Sequence, residues 1–379
     1  MNHWVVIYAI GASQAVLLAL ALWRRRVNPQ ASRVLAGWLA IVAVDLAIKA
    51  LFLAEPRVWL YKPYQFVGLF PFLYAGLFLV YVRVLTNGRG VGARDLVHLA
   101  VFAFALAWAG RWFLLGHDDT AAAFAQYQRG RGSWLPGWFD PLLFAYAFSC
   151  IIAALTRMRR YRRTLRERRS DADRQSLRWL TAMALCQLLI WCIAAAQWLL
   201  QIPLVDYYLI YGAVAAWVCV LAYFSLAQPP MPEQVAMPAP AAGENPVRDD
   251  DPRFDAVESR LSQLMGEAQL YREPALTVGQ LARRSGYPEY LVSAVINRRL
   301  GANFWDYINR LRVEAATGCL ADPADLRTIL DIAYACGFTS KSTFNASFKR
   351  QLGDTPSAYR RQRCGRAPAI AESVRTLPG

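Results

Sequence analysis

LRTILDIAYACGFTSKSTFNASFKRQLGDTPSAYR, residues 326–360, is a compact piece of helix grammar. Ile329, Ile332 and Ala333 recur at helical spacing, so Leu326–Ala335 reads as a helix with an apolar face. Gly337 supplies the backbone freedom of a turn, and Phe338 returns an apolar side chain to the core. Ser340 stands at an N-cap position and opens a second helix that runs to about Leu352. Gly353 ends that helix, and Thr355-Pro356 starts a final short one containing Tyr359. Helix, glycine turn and helix together form the helix-turn-helix arrangement.

The same grammar occurs once before. Thr277 can cap a helix with Gln280 at the capping-box position, and Leu281 and Ala282 give it an apolar face. Gly286 ends it, Pro288 suits the first turn of the next helix, and that helix runs to about Leu300 and Gly301. A longer helix from Asn303 to about Leu320 joins the two motifs, with Phe304, Ile308, Leu311 and Ala315 as its core stripe. Asn303 and Asp306 supply acceptors and favourable charge at its start. Upstream, Phe254–Leu270 reads as a helix whose stripe is Phe254, Val257, Leu261, Leu264 and Ala268. Packing against the next domain is the expected use of that stripe. A short coiled-coil contact between two copies is the alternative.

The segment from about Leu276 to Arg363 resembles the DNA-binding domain of the AraC/XylS family of bacterial transcription regulators. The resemblance rests on Asp331-Ile332-Ala333, Gly337-Phe338, Ser340, Ser342, Phe344, Phe348-Lys349-Arg350, Gly353, Thr355-Pro356 and Tyr359-Arg360. Tyr307-Ile308-Asn309-Arg310-Leu311-Arg312 on the joining helix is also family-like. It implies two recognition helices entering successive major grooves on one face of double-stranded DNA. Base-reading candidates are then Tyr290, Ser293, Ala294 and Asn297 on the first, and Lys341, Ser342, Asn345 and Ala346 on the second. Arg298, Arg299, Lys349, Arg350, Arg360 and Arg361 are the expected phosphate contacts. Ala294 and Ala346 stand where members often carry Arg, which removes the bidentate guanine reader and leaves contact with a thymine methyl.

The other part of the chain is unlike this one. Of 379 residues 56% are hydrophobic, and the long apolar runs lie before about Leu226. From Pro229 onward 19 basic residues face 17 acidic ones, whereas the residues before it carry 23 and 10. The net charge of +15 therefore sits mostly between apolar runs. Seven stretches are long enough to cross a bilayer as helices: Trp4–Trp23, Val34–Ala54, Tyr64–Val84, Leu96–Leu115, Trp138–Thr156, Trp179–Leu200 and Leu204–Leu226. Pro71 is a candidate kink in the third. Arg24, Arg25, Arg26 and Arg33 follow the first stretch, Arg89 and Arg94 the third, and a dense run from Arg157 to Arg178 the fifth. The alternate loops are poorer in cations. This bias predicts an N-terminus outside and a C-terminal part in the cytoplasm of the bacterial inner membrane.

The expected fold class is thus all-α: a seven-helix transmembrane bundle over residues 1–228 and a double helix-turn-helix domain over 272–366. Residues 229–253 form a Pro/Ala-rich linker, 254–271 the connecting helix and 367–379 a flexible tail. Asp45 and Lys49, four residues apart inside an apolar stretch, are the candidate sensing residues, or else a pair that neutralises itself. The seven cysteines stand singly and the three histidines are scattered, so neither metal spacing nor a catalytic motif is present, and no cofactor is expected. The function implied is a membrane-embedded one-component transcription regulator. The alternatives are a transporter or intramembrane enzyme fused to such a regulator, or a bundle that only tethers it. The partners are DNA, the lipid bilayer, a second copy of the chain and a small-molecule or membrane-borne signal.

Overall fold

The structure is a computed structural model that describes residues 3–87, 90–129, 136–172, 178–200, 207–226 and 251–364. Most of the expected linker and the expected tail lie outside these residues. Among the described residues the secondary structure is helical, and the one β-type contact is an isolated bridge between Arg169 and Thr277. The chain divides into two compact units, Met1–Arg159 with Arg178–Met237 and Arg160–Leu177 with Pro238–Gly379.

The first unit contains α1 (His3–Trp23), α2 (Pro29–Ala54), α3 (Val58–Val67), α4 (Pro71–Asn87), α5 (Leu96–Phe113), α6 (His117–Gln128), most of α7 (Phe139–Arg168), α8 (Arg178–Leu200) and α9 (Tyr207–Leu226). Six helical segments among the described residues are long and apolar enough to cross a membrane, with α3 and α4 counted together as one. The seventh expected span coincides with α9, a 20-residue helix that is not among those six. Two local differences from the sequence expectation stand out. The third span is interrupted at 68–70, so Pro71 begins a helix where its missing N–H costs nothing instead of kinking one. The loop after α5 holds a helix of its own, α6, whose Asp118 and Asp119 suit a helix N-terminus. Close approach of α1 and α9 needs small residues: a Cβ on Gly11 would meet the Ala215 side chain at 2.6 Å.

The second unit contains α10 (Phe254–Gly266), α11 (Val278–Ser285), α12 (Glu289–Arg298), α13 (Phe304–Ala321), α14 (Ile329–Ala335), α15 (Lys341–Leu352) and α16 (Pro356–Cys364). Phe254, Val257 and Leu261 on α10 are fully buried with Leu281 of α11, Leu291 and Val295 of α12 and Ile308 of α13. Phe254, Val257, Leu261 and in part Leu264 of the expected stripe are thus spent inside this unit, whereas the helix ends at Gly266, short of the expected Leu270, and leaves Ala268 exposed. Val313, Ala316 and Leu320 of α13 pack with Ile332, Phe338, Phe344 and Phe348 in a second core. One helix thus serves as the wall of both motifs. Its Asn303 cap accepts from the Asp306 amide at 2.9 Å, as the sequence predicts. Thr277 and Gln280 form the predicted capping box on α11. The helix expected from Leu326 begins instead at Ile329, because Thr328 and Asp331 cap it reciprocally and leave Leu326 exposed.

Candidate nucleic-acid interface

Each motif buries one face of its second helix and shows the other. On α12, Leu291, Val292, Val295 and Ile296 are buried. Asn297 is exposed, whereas Tyr290, Ser293 and Ala294 are half-buried, and Tyr290 and Ala294 pack against the first core. The Asn297 amide donates to Ser293 Oγ at 3.3 Å, which holds two of the four candidates as one polar patch. On α15, Thr343, Phe344, Ser347 and Phe348 are buried, and Lys341, Ser342, Asn345 and Ala346 are all exposed. Their spacing places them on one face of the helix with Lys349. Ser340 Oγ accepts from the Thr343 amide at 3.2 Å and fixes where α15 begins.

Three of the six candidate phosphate contacts are engaged inside this unit. Arg299 lies 3.4 Å from Asp255, Arg350 lies 2.6 Å from Asp306 with its guanidinium 4.5 Å from the Trp305 ring, and Arg360 donates to the backbone carbonyls of Arg327 and Asp325. These three candidate phosphate contacts have partners within the protein. Arg298, Lys349 and Arg361 are exposed, as are Arg299 and Arg350. The Arg360 contacts also fasten α16 to the loop before α14, where Arg327 beside Asp325 holds that carboxyl down at about 2. Tyr359 on α16 closes the second core, edge-on to Phe348 at 5.5 Å.

Sequence reading missed the residue that joins the two motifs. Arg312 on α13 is almost wholly buried. Its Nε donates to the Tyr271 carbonyl at 2.7 Å, its Nη2 to the Glu273 carbonyl at 2.8 Å and to Ser170 Oγ at 3.2 Å, and its Nη1 to Asn309 Oδ1 at 3.5 Å. Burial pulls its ionisation down to about 10, partly offset by Asp171, so it stays charged at neutral pH. The turn it grips, Leu270–Arg272, also touches the second motif. A Cβ at Gly337 would lie 2.7 Å from the Arg272 carbonyl oxygen. The guanidinium on α13 therefore holds one short turn between the two motifs. The family-like Arg-Leu-Arg pattern was visible in the sequence, but nothing there showed that its second arginine points inward.

In the first unit, Asp45 and Lys49 do come together, 2.5 Å apart and buried. Tyr74 of α4 donates its hydroxyl to Asp45 at 2.5 Å, and the Lys49 ammonium lies 3.4 Å from the centre of the Tyr211 ring on α9. The pair thus links α2 to α4 and α9, which neither charge alone would reveal.

Residues 281–362 match a protein-family model described as a helix-turn-helix domain. A probable transcription factor of Proteus vulgaris, PqrA, is 31% identical over 94 residues, which are 25% of this chain and 75% of that protein. An uncharacterized HTH-type transcriptional regulator of Staphylococcus aureus strain COL is 30% identical over 116 residues, 31% of this chain and 15% of its own length. Another such regulator, YtdP of Bacillus subtilis, is 32% identical over 91 residues, 24% of this chain and 12% of its own length. No solved structure matches the chain.

Proposed function

Because the chain belongs to the AraC-type helix-turn-helix transcription regulators, we propose that it is a membrane-embedded, one-component regulator that binds specific promoter DNA under the control of its apolar helices. Family membership supports the DNA half of this reading. A single feature of the first unit carries the membrane half. Helix α5 is long and apolar enough to span, yet Leu96, Val97, Leu99, Phe104 and Trp108 are exposed. An apolar face of that size is unstable in water and stable in hydrocarbon. The arginine bias of the alternate loops supports a cytoplasmic place for the DNA-binding unit. The buried Asp45–Lys49 pair is the proposed sensing centre, since a stimulus that moves α4 or α9 must break contacts to Tyr74 or Tyr211.

Genome-wide DNA-binding mapping of the intact protein, with fractionation of the same cells, tests both halves. Discrete promoter peaks are expected from a protein recovered in the membrane fraction. Asn345→Ala is expected to erase most peaks, since an asparagine–adenine pair contributes about 1–3 kcal/mol of discrimination. Peaks that survive this change remove Asn345 from the reading face. Recovery of the protein in the soluble fraction overturns the membrane half.

A further inference from the structure

The arginine run after the fifth apolar stretch is more than a topology signal. Helix α7 continues without a break to Arg168, and residues 160–172 belong to the compact unit that holds both motifs. Their contacts there are specific. Leu165 and Ala172 are buried in a small cluster with Trp305 of α13. The Ser170 amide donates to the Leu276 carbonyl at 3.0 Å, its carbonyl accepts from Asn309 Nδ2 at 3.4 Å and its hydroxyl accepts from Arg312 at 3.2 Å. Arg169 bridges to Thr277, the cap of α11, while its guanidinium holds the buried Asp171 at 2.8 Å. Two guanidinium groups also lie over the Trp305 ring, Arg166 of α7 at 5.1 Å and Arg350 of α15 at 4.5 Å. A charge run that served only membrane orientation would stay solvated and would have no use for a buried serine, aspartate and alanine.

We infer that residues 160–172 are a clasp through which α7 sets the DNA-binding state of the two motifs, and that this clasp, rather than the segment 229–250, is the route by which the apolar helices act on DNA binding. The inference rests on the regulator reading above. The clasp grips the elements whose arrangement fixes the reading faces: the cap of α11, the shared helix α13 and, through Trp305, the flank of α15. A continuous helix transmits rotation and axial shift to such a contact, whereas a Pro/Ala/Gly-rich connection sets reach. Releasing Ser170 from Arg312 leaves a buried guanidinium short of an acceptor, so the clasped and released forms are discrete rather than graded.

The test uses the full chain in lipid nanodiscs with a promoter duplex taken from the mapping. Leu165→Asp with Ala172→Asp opens the clasp, Ser170→Ala weakens it, and about ten Gly/Ser residues inserted within 229–250 lengthen the other connection. The readouts are promoter affinity and backbone hydrogen exchange across 165–172 and 304–312. The opened variant is expected to lose about tenfold in affinity and the protection of the Ser170 amide. Ser170→Ala is expected to lose about two- to threefold in the same direction, and the insertion to stay within about twofold of the parent. An insertion as damaging as the opened clasp overturns the inference, as does an opened variant that keeps parental affinity. If the double substitution unfolds residues 254–364, Ser170→Ala decides: unchanged affinity with unchanged exchange at 309–312 overturns the clasp. A parent protein that binds no specific duplex defeats the regulator reading instead. Exchange protection at 165–172 then still reports on the clasp by itself.

Discussion

The two helix-turn-helix motifs follow one grammar but are stabilised by different means. The first draws on a broad, largely aliphatic core that reaches back to α10, so four helices contribute to it. The second is built around Phe338, Phe344 and Phe348, with ring centres 5.0 and 5.5 Å apart in sequence, and is closed by Tyr359. Their surfaces differ in the opposite sense. The second recognition helix shows all four candidate readers to solvent, whereas three of the four on the first are half-buried. A motif that gives up side chains to its own core has fewer left for DNA. The second motif is therefore expected to carry more of the base discrimination while resting on the smaller core.

The largest effect should come from breaking that smaller core. Phe348 is fully buried and touches both Phe344 and Tyr359 edge-on. Phe348→Ala is expected to cost about 3–5 kcal/mol, from lost burial and the cavity left behind. Hydrogen exchange should show protection lost across 329–360 and kept across 278–298, where α10 supports the first motif. Equal loss in both places would mean that α13 makes them one cooperative unit, and the comparison would then hold for surfaces alone.

A smaller contrast lies in the two turns. Gly286 and Gly337 both have left-handed backbones, with φ of +81° and +90°. A Cβ at Gly286 meets nothing within 4 Å, whereas one at Gly337 would sit 2.7–2.8 Å from three backbone atoms of Arg272. Gly286→Ala should therefore cost about 1 kcal/mol, the conformational penalty alone. Gly337→Ala adds an overpacking cost and should lose about 2–4 kcal/mol in denaturant titration. Equal losses would show that the Leu270–Arg272 turn yields easily, and so does not hold the motifs at a fixed angle.

Much of this was legible in the sequence, and the reason is local. The Thr277–Gln280 cap and the turn glycines are short-range signals that land where they were read, whereas apolar periodicity finds the helices but overruns their ends at Leu326 and Ala268. What could not be read is set by contacts distant along the chain. Arg312 looked like one more basic residue, yet its acceptors at Ser170, Tyr271 and Glu273 draw it into the core. Arg299, Arg350 and Arg360 looked available for phosphate, and their partners at Asp255, Asp306 and the 325–327 backbone depend on tertiary packing. Tyr74 and Tyr211, which complete the surroundings of Asp45 and Lys49, lie on other helices and carry no sequence mark of that role.

The smallest contrast is one of pH. Burial pushes the Cys336 thiol in the second core up to about 11, with Cys319 adding to the rise and Arg272 and Arg327 opposing it. The first core as described contains no cysteine, and one of its two buried tyrosines, Tyr307, is raised to about 12 by burial and by Glu258 and Glu314 against Arg310. In the unfolded chain these groups ionise near their ordinary values, about 9 for a thiol and 10 for a tyrosine. Below pH 9 both groups are protonated in both states and contribute no pH dependence. Between about 9 and 11 the unfolded chain releases the thiol proton while the folded core retains it, so stability falls. The corresponding loss for Tyr307 begins one pH unit higher. Alkaline titration followed by exchange should therefore loosen 329–352 before 278–308. Cys336→Ala should remove the earlier step and leave the later one. If both steps begin together above pH 10 in the parent, the smaller core is no softer to alkali than the larger one, and the difference between the motifs is confined to packing volume.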